Sequence, residues 1–279
     1  MRNILYYIFG LFFVVSCSPT QDGNGDLLRG FNYDWSNDNT GGNGGGSTTK
    51  QLKKMEVNMK DEDTGDIENN SYTYSYSGNK LISYKDDSGE ITRFDYNSNN
   101  KISKIYNSEQ VSVFEYSGNN VSKVITTIAG IAKITSNYTF NAGKLVKTTT
   151  DQEYSFPFPL KMYVESTYQY QGENVSKSVV KGGMYNPVTG ELEMDPEDKI
   201  ISYTYDTKKS PYKLLPAEYI LMIAGIGPQG GAYLSANNFE KITIAQDNAS
   251  ETMTFSHDYD NDSYPTKSTS GQEYIKYSY

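Results

Sequence analysis

Apolar and polar residues alternate with period two over most of the chain beyond residue 70. Tyr72, Tyr74 and Tyr76 fall on one face of an extended segment, with Thr73 and Ser75 on the other. The pattern recurs as a unit, an aromatic-x-Tyr pair followed by a polar turn and an aliphatic residue. It reads Tyr74-x-Tyr76-Ser-Gly-Asn-Lys-Leu81, Phe94-x-Tyr96-Asn-Ser-Asn-Asn-Lys-Ile102 and Phe114-x-Tyr116-Ser-Gly-Asn-Asn-Val121. Looser copies stand at Tyr138-x-Phe140, Tyr168-x-Tyr170, Tyr203-x-Tyr205, His257-x-Tyr259 and Tyr277-x-Tyr279. A short repeat cannot bury its own apolar face and must stack on its neighbours. Tyrosine and β-branched residues suit a half-buried pleated surface. The Ser-Gly-Asn and Ser-Asn-Asn turns tolerate positive φ, so each unit is expected to be a β-hairpin.

Two departures refine this picture. Leu81 and Tyr84, Ile102 and Ile105, and Val121 and Val124 are spaced i, i+3, which would put them on opposite faces of a flat strand. A β-bulge in the second strand of each hairpin restores them to one face and curls the sheet. Later units lie further apart, and loops around Pro157-Phe158-Pro159 and Gly182-Gly183 are expected to absorb the extra residues. The stretch Leu214-Leu215-Pro216-Ala217-Glu218-Tyr219-Ile220-Leu221-Met222-Ile223-Ala224 is too short to cross a membrane. Pro216 suits a first helical turn and Gly225 a stop, so 214–224 reads as a short helix or a buried strand covering one side of the sheet. The fold class is therefore all-β, an antiparallel meander of repeated hairpins forming a strongly curved sheet with one apolar cover segment.

Composition divides the chain into three parts. Residues 1–16 read as a signal peptide, with Arg2 at the positive end and Ile4 to Val15 as a short apolar core. Val14-Val15-Ser16-Cys17 matches the bacterial lipobox, which makes Cys17 the expected lipidation site and the membrane the first partner. Ser18 after that cysteine points to the outer membrane. Residues 17–50 form a tether: 18–50 are rich in Gly, Asn, Asp, Ser and Thr and cannot bury enough apolar area to fold. As coil, this stretch has a root-mean-square span of roughly 30 Å. Phe31-Asn-Tyr33-Asp-Trp35 interrupts it, and 27–36 reads either as an added strand or as part of the coil. Residues 51–279 form the β domain.

Charge and residue inventory narrow the function. A chain beginning at Cys17 loses only Arg2 among its charges, moving the net charge from −9 to −10. Nucleic acid rewards basic surfaces and is not expected as a partner. Cys17 is the only cysteine and His257 the only histidine. The usual Cys/His zinc sites and Cys–His nucleophile pairs are thereby excluded. His257 occupies an aromatic slot of the repeat and reads as a packing residue. Asp258-x-Asp260-x-Asp262 opens like a calcium loop, but Ser263 and Thr269 stand where Gly and Glu are required, so a hairpin turn is expected. Gly225-Ile-Gly227-Pro228-Gln-Gly230 matches G-x-G-x-x-G without a strand-then-helix context, and Pro228 lacks a backbone donor. No catalytic residue, metal ligand or cofactor site is assigned.

The run Phe94-Asp-Tyr96-Asn-Ser-Asn-Asn-Lys-Ile102-Ser-Lys-Ile105 resembles the YD repeats of Rhs and teneurin-type proteins. With the lipobox, the tether and the closing Tyr259-Asp-Asn-Asp-Ser-Tyr264-Pro265-Thr-Lys267, the chain is similar to YD-repeat-like lipoproteins of Bacteroidetes. The resemblance covers most of residues 70–279 and implies a curved or spiral antiparallel sheet held at the cell envelope. It brings no catalytic residues. The expectation is a non-catalytic envelope lipoprotein that binds a glycan or an envelope protein, or serves as a scaffold. The alternatives are a surface polysaccharide hydrolase, which needs two acids converging about 5–10 Å apart, and a purely structural spacer.

Overall fold

The period-two segments become strands of one antiparallel sheet in this computed structural model, which describes residues 50–60, 67–155, 159–226, 230–247 and 249–279. Cys17, the 27–36 island and the tether up to residue 49 lie outside the described residues, and only Lys50 of the tether is described. After β1 (Lys54–Lys60) come the hairpins β2/β3 (Ile67–Ser77, Lys80–Asp86), β4/β5 (Ile91–Tyr96, Ile102–Tyr106) and β6/β7 (Gln110–Ser117, Asn120–Ile128). The longer hairpins β8/β9 (Ala132–Asn141, Lys144–Tyr154) and β10/β11 (Leu160–Gln171, Asn174–Tyr185) follow. Next are β12 (Leu192–Met194), β13/β14 (Lys199–Lys209, Asn237–Gln246), β15 (Ala249–Thr254), β16/β17 (Ser256–Tyr259, Pro265–Ser270) and β18 (Glu273–Ser278).

The sheet nearly closes into a ring. Consecutive strands pair from β2 to β11, β11 pairs both β12 and β13, and β13 continues through β14 to β15. β16 pairs β17, β17 pairs β18, and β1 joins β18 to β2. The ring is incomplete only where β15 passes into β16 at Phe255, whose amide still donates to the Glu240 carbonyl on β14 at 2.8 Å. Closure removes most of the exposed strand edge that an open sheet would present.

The repeat sets the curvature. In β2/β3 the register skips Ile82, pairing Ser75 with Ser83 and Tyr76 with Leu81. The same one-residue skip follows the second aromatic in β4/β5, β6/β7, β8/β9 and β10/β11. Each bulge turns the i and i+3 aliphatics inward: Ile102 and Ile105, and Val121 and Val124, are all buried. Ser103, Ser176 and Thr266 occupy the bulges of three hairpins. Each hydroxyl donates back across the hairpin, to the carbonyls of Asp95, Gln169 and Asp258 respectively. The turns use left-handed backbone as expected, at Gly78 (φ 58°), Asn100 (φ 59°) and Gly118 (φ 59°).

The two aromatics of a unit do different jobs. The first, as in Tyr74, Phe94, Phe114, Tyr138, Tyr168 and Tyr203, is buried in the core. The second is half-buried, and in Tyr76, Tyr96, Tyr116, Tyr205 and Tyr279 its hydroxyl donates to a backbone carbonyl earlier in the chain. Tyr76 reaches the Leu52 carbonyl (2.8 Å), Tyr96 that of Leu81 (2.8 Å), and Tyr116 that of Ile102 (2.5 Å). Tyr205 reaches Val175 (2.7 Å) and Tyr279 reaches Pro265 (2.7 Å) in the same way. A lysine from the turn of the preceding unit lies over the same ring, Lys80 over Tyr96 at 5.2 Å and Lys101 over Tyr116 at 5.5 Å. The tyrosine thus serves as spacer, donor and cation acceptor between neighbouring hairpins.

The β13/β14 hairpin departs most from the repeat. Where other units turn in a few residues, residues 210–226 and 230–236 run inward. They form a 3-10 turn (Pro211–Leu214), helix α1 (Ala217–Ile226) and the short helix α2 (Gly231–Leu234). Tyr219, Ile220, Met222, Ile223 and Ala224 are all buried, as befits a helix that is apolar around its circumference. Tyr219 packs edge-on against Phe94 at 5.4 Å, and the Tyr168 hydroxyl lies 3.4 Å from the Ala224 carbonyl. The apolar segment is therefore a short helix, one of the two forms expected, and it covers the inner face of the curved sheet. Pro216 precedes the helix, its carbonyl accepting from the Ile220 amide at 3.1 Å, and the helix runs through Gly225 to Ile226. A polar collar holds the neck of the insertion. Asn174 Oδ1 accepts from the amides of Ala236 and Asn237, and Ser235 accepts from the Val175 amide while donating to the Tyr205 hydroxyl. Gly182-Gly183 also differs from expectation. Both lie within β11, and the residues beyond the repeat go into longer strands and the tip at 186–191.

Candidate functional site

Among the described residues, a set of outward polar side chains lies on β9, β10 and β11. Thr150, Gln152, Ser166 and Tyr168 are buried on the inner face, so alternation sends Asp151, Glu153, Lys161, Tyr163 and Glu165 outward. Asp151 and Tyr163 face each other across the β9–β10 ladder, and Tyr163 faces Gly183 across β10–β11. A side chain at 183 would collide with the Glu193 carbonyl, 2.9 Å from an ideal Cβ, so glycine lets β12 pack close.

This face is electrostatically balanced. Tyr185 donates to Asp151 at 2.8 Å, and Tyr163 donates to Glu165 at 3.1 Å. Lys147 pairs with Glu165 at 2.7 Å, and Lys161 pairs with Glu153 at 3.1 Å while lying 4.6 Å from the Tyr185 ring centre. The Lys147 bond holds the Glu165 carboxyl below its ordinary range against the opposing effect of burial. Burial and then the Glu165 bond push the Tyr163 hydroxyl up to about 12. Asp151 raises the Tyr185 hydroxyl in the same sense. The rings of Tyr163 and Tyr185 thus stand among fixed carboxylates and ammonium groups on this face. Beside this face projects the β11–β12 tip, where Met184, Val188 and Met194 are 47%, 90% and 44% exposed.

A second feature lies where the ring is incomplete. A cavity of about 20 Å³, room for one water, is lined by Tyr212, Tyr233, Phe239, Phe255, Tyr274 and Ile275, with Ser268, Ser270 and Glu273 at its polar side. Its rings are well fixed, with Tyr212–Tyr233 edge-on at 4.8 Å and Phe239–Phe255 edge-on at 4.6 Å.

The residues singled out in the sequence fall into place as follows. His257 faces Ser268, with Nδ1 2.8 Å from the serine oxygen, and its Nε2–H donates to the Phe239 carbonyl at 3.0 Å. Both ring nitrogens are engaged, and the ring stands in the core ladder. Asp260 and Asp262 converge on Lys50, whose ammonium lies 2.5 and 2.7 Å from their carboxylates. Asp260 Oδ1 also accepts from the amides of Asp262 and Tyr264, so the motif forms a hairpin turn closed by a lysine. Among the described residues no cluster of three or more His, Cys, Asp or Glu could hold a metal ion. Gly227 and Pro228 lie outside the described residues. The outward face on β9–β11 was missed in the sequence. Its signal was the odd-numbered polar run Asp151, Glu153, Lys161, Tyr163, Glu165, which lies in two units whose repeat is degraded.

No family model matches the chain, and no curated protein matches it. Among solved structures it is similar to a chain from the Photorhabdus luminescens Tc holotoxin pore, at 10% identity and a TM-score of 0.28. The match covers 72% of this chain and 12% of that one. At that TM-score neither fold nor function is carried across.

Proposed function

We propose that the chain is a non-catalytic envelope lipoprotein of the Bacteroidetes YD-repeat-like kind that its sequence resembles. In this reading it is lipidated at Cys17 and anchored to the outer membrane. It meets a glycan or another envelope protein on the outward face of β9–β11. One observation carries the reading: the interior of the ring is taken up by residues 210–226 and 230–236. A barrel of many strands would otherwise offer a ligand cavity. With that space filled, the outer surface is where another molecule is met. Tyr163 and Tyr185 supply its ring faces there.

The test has two arms. Fatty-acid labelling of cells should mark the wild-type chain and fail on Cys17→Ala; a Cys17→Ala chain that is still labelled would overturn the anchor. Purified chain should retain a glycan on an array, or cross-link to an envelope protein, and Tyr163→Ala with Tyr185→Ala should abolish that binding while the strand signal in circular dichroism is retained. Retention unaffected by the double substitution removes this face from the reading. Release of sugars from envelope polysaccharide by the chain alone would make it a hydrolase instead.

A further inference from the structure

The aromatic cavity beside the insertion has a floor and a mouth. Tyr212, Tyr233, Ser268 and Ile275 are buried, whereas Phe239, Phe255, Ser270, Glu273 and Tyr274 are half-buried. Four of its rings stand as two perpendicular corners, Tyr212 against Tyr233 at 84° and Phe239 against Phe255 at 89°. A ring face attracts a cation lying within about 6 Å of its centre. The fifth ring is already used, because Lys267 and Lys276 lie over Tyr274 at 4.9 and 5.1 Å.

Charge favours the same kind of occupant. Ile275 and Tyr277 of β18 are buried, so alternation places Glu273 on the inner face with them. Its Oε1 accepts from the Lys60 amide at 3.2 Å. A carboxylate can accept about four hydrogen bonds, so Glu273 can take an ammonium as well. No lysine or arginine is among the lining residues, and the whole chain carries a net charge of −9. A negative field concentrates cations at such a mouth.

Volume selects the head group. About 20 Å³ holds one water, and an ammonium group is close to water in size, whereas tetramethylammonium is far larger. A slim methylene stem can lie along Phe239 and Phe255 at the mouth, as lysine stems do on apolar surface. An amine mounted directly on a sugar brings the bulk of the sugar ring against those side chains. The chain itself uses the lysine-on-ring contact between its hairpins, Lys80 over Tyr96 and Lys101 over Tyr116.

We propose that this cavity binds the ammonium end of a lysine side chain presented by another protein. The ammonium sits among Tyr212, Tyr233, Phe239 and Phe255 and donates to Glu273. None of the lining residues belongs to β9, β10 or β11, so this site and the outward face stand or fall separately.

n-Butylammonium chloride reproduces the lysine side chain and serves as the probe. Titrated into the full chain in detergent, it should shift the aromatic NMR signals of Phe239 and Phe255 saturably, with a roughly millimolar dissociation constant. Sodium chloride at equal ionic strength, tetramethylammonium and glucosamine should leave those signals in place. Glu273→Gln keeps an acceptor for the Lys60 amide and should weaken binding about fivefold or more. Phe255→Leu keeps apolar volume without the ring face and should weaken it about threefold or more. Both variants should retain the strand signal in circular dichroism, and the comparison of probes uses wild type alone, so it holds whatever a variant does to folding. Absence of a saturable shift with n-butylammonium, equal shifts with tetramethylammonium, or a folded variant that binds as wild type does would each overturn the proposal. Glucosamine binding more tightly than n-butylammonium would overturn it in favour of an amino sugar.

Discussion

The Tyr96 hydroxyl donates to the Leu81 carbonyl at 2.8 Å, tying one hairpin to the backbone of the hairpin before it. Leu81 is the residue that pairs with Tyr76 at the bulge, so the bond links equivalent points of successive units. The recurrence of this bond explains why the second aromatic of the repeat is nearly always tyrosine. A phenylalanine would fill the same space and leave the bulge carbonyl without its donor.

One unit carries that exception and allows a gain-of-stability test. Phe140 pairs with Leu145 as Tyr96 pairs with Ile102, so a hydroxyl at 140 would reach the Val121 carbonyl. Phe140→Tyr should stabilise by about 1 kcal/mol, and Tyr96→Phe should destabilise by about the same amount, the net contribution of one hydrogen bond. Urea denaturation of both variants checks the sign. Opposite signs are the decisive outcome.

The first aromatic of each unit should matter more. Phe94 is buried and in edge-on contact with Tyr219 of helix α1. Phe94→Ala should cost about 3–5 kcal/mol. Ser75, exposed on the opposite face of β2, should tolerate alanine within about 0.5 kcal/mol. Tyr96 and Tyr116, which are half-buried, should fall between the two. Equal losses at Phe94 and Ser75 would mean that the faces are misassigned.

The hairpins, their turns and the bulge were legible because each rests on local chemistry that repeats. Alternation gives the strands, Gly78 and Gly118 give the turns, and the i, i+3 aliphatics need an extra residue to share a face. Ring closure was not legible, since it depends on β1 and β18 meeting across the whole domain. Nor did the sequence place helix α1. Its apolar residues say that it is buried, but only the three-dimensional path of residues 210–236 shows that the inside of the ring is what buries it. The outward face on β9–β11 escaped for a third reason. Polar residues on a strand look alike until the neighbouring strands bring Asp151 to Tyr185 and Lys147 to Glu165.

The insertion is packed tightly enough to test by overfilling. An ideal Cβ at Gly231 would lie 3.0 Å from both the Tyr203 hydroxyl and Val175 Cγ1. Gly231→Val should therefore destabilise by about 1–3 kcal/mol by pushing α2 away from β11 and β13. The neck also depends on contacts there, because Ser235 donates to the Tyr205 hydroxyl. Limited proteolysis should then cut within residues 210–236 in the variant and spare them in the wild type. A variant as stable and as resistant as wild type would show that the insertion is loosely held.

The tyrosines make stability depend on alkaline pH. Burial raises the Tyr76 and Tyr96 hydroxyls to about 12, with Tyr96 beside Tyr76 and Glu218 beside Tyr96 adding to the effect. Fully buried rings such as Tyr74 and Tyr219 are raised further, again chiefly by burial. An unfolded tyrosine ionises near 10. A group whose ionisation is raised by folding contributes its full stability below its unfolded value and loses it as pH climbs through the folded one. The domain should therefore keep its melting temperature up to about pH 10 and lose it steeply between about pH 10 and 12. Absorbance at the phenolate band should rise in two stages, exposed tyrosines first and the core tyrosines together with loss of the strand signal in circular dichroism. Gradual ionisation of all tyrosines near pH 10 with the β signal intact would contradict the buried, hydrogen-bonded ladder.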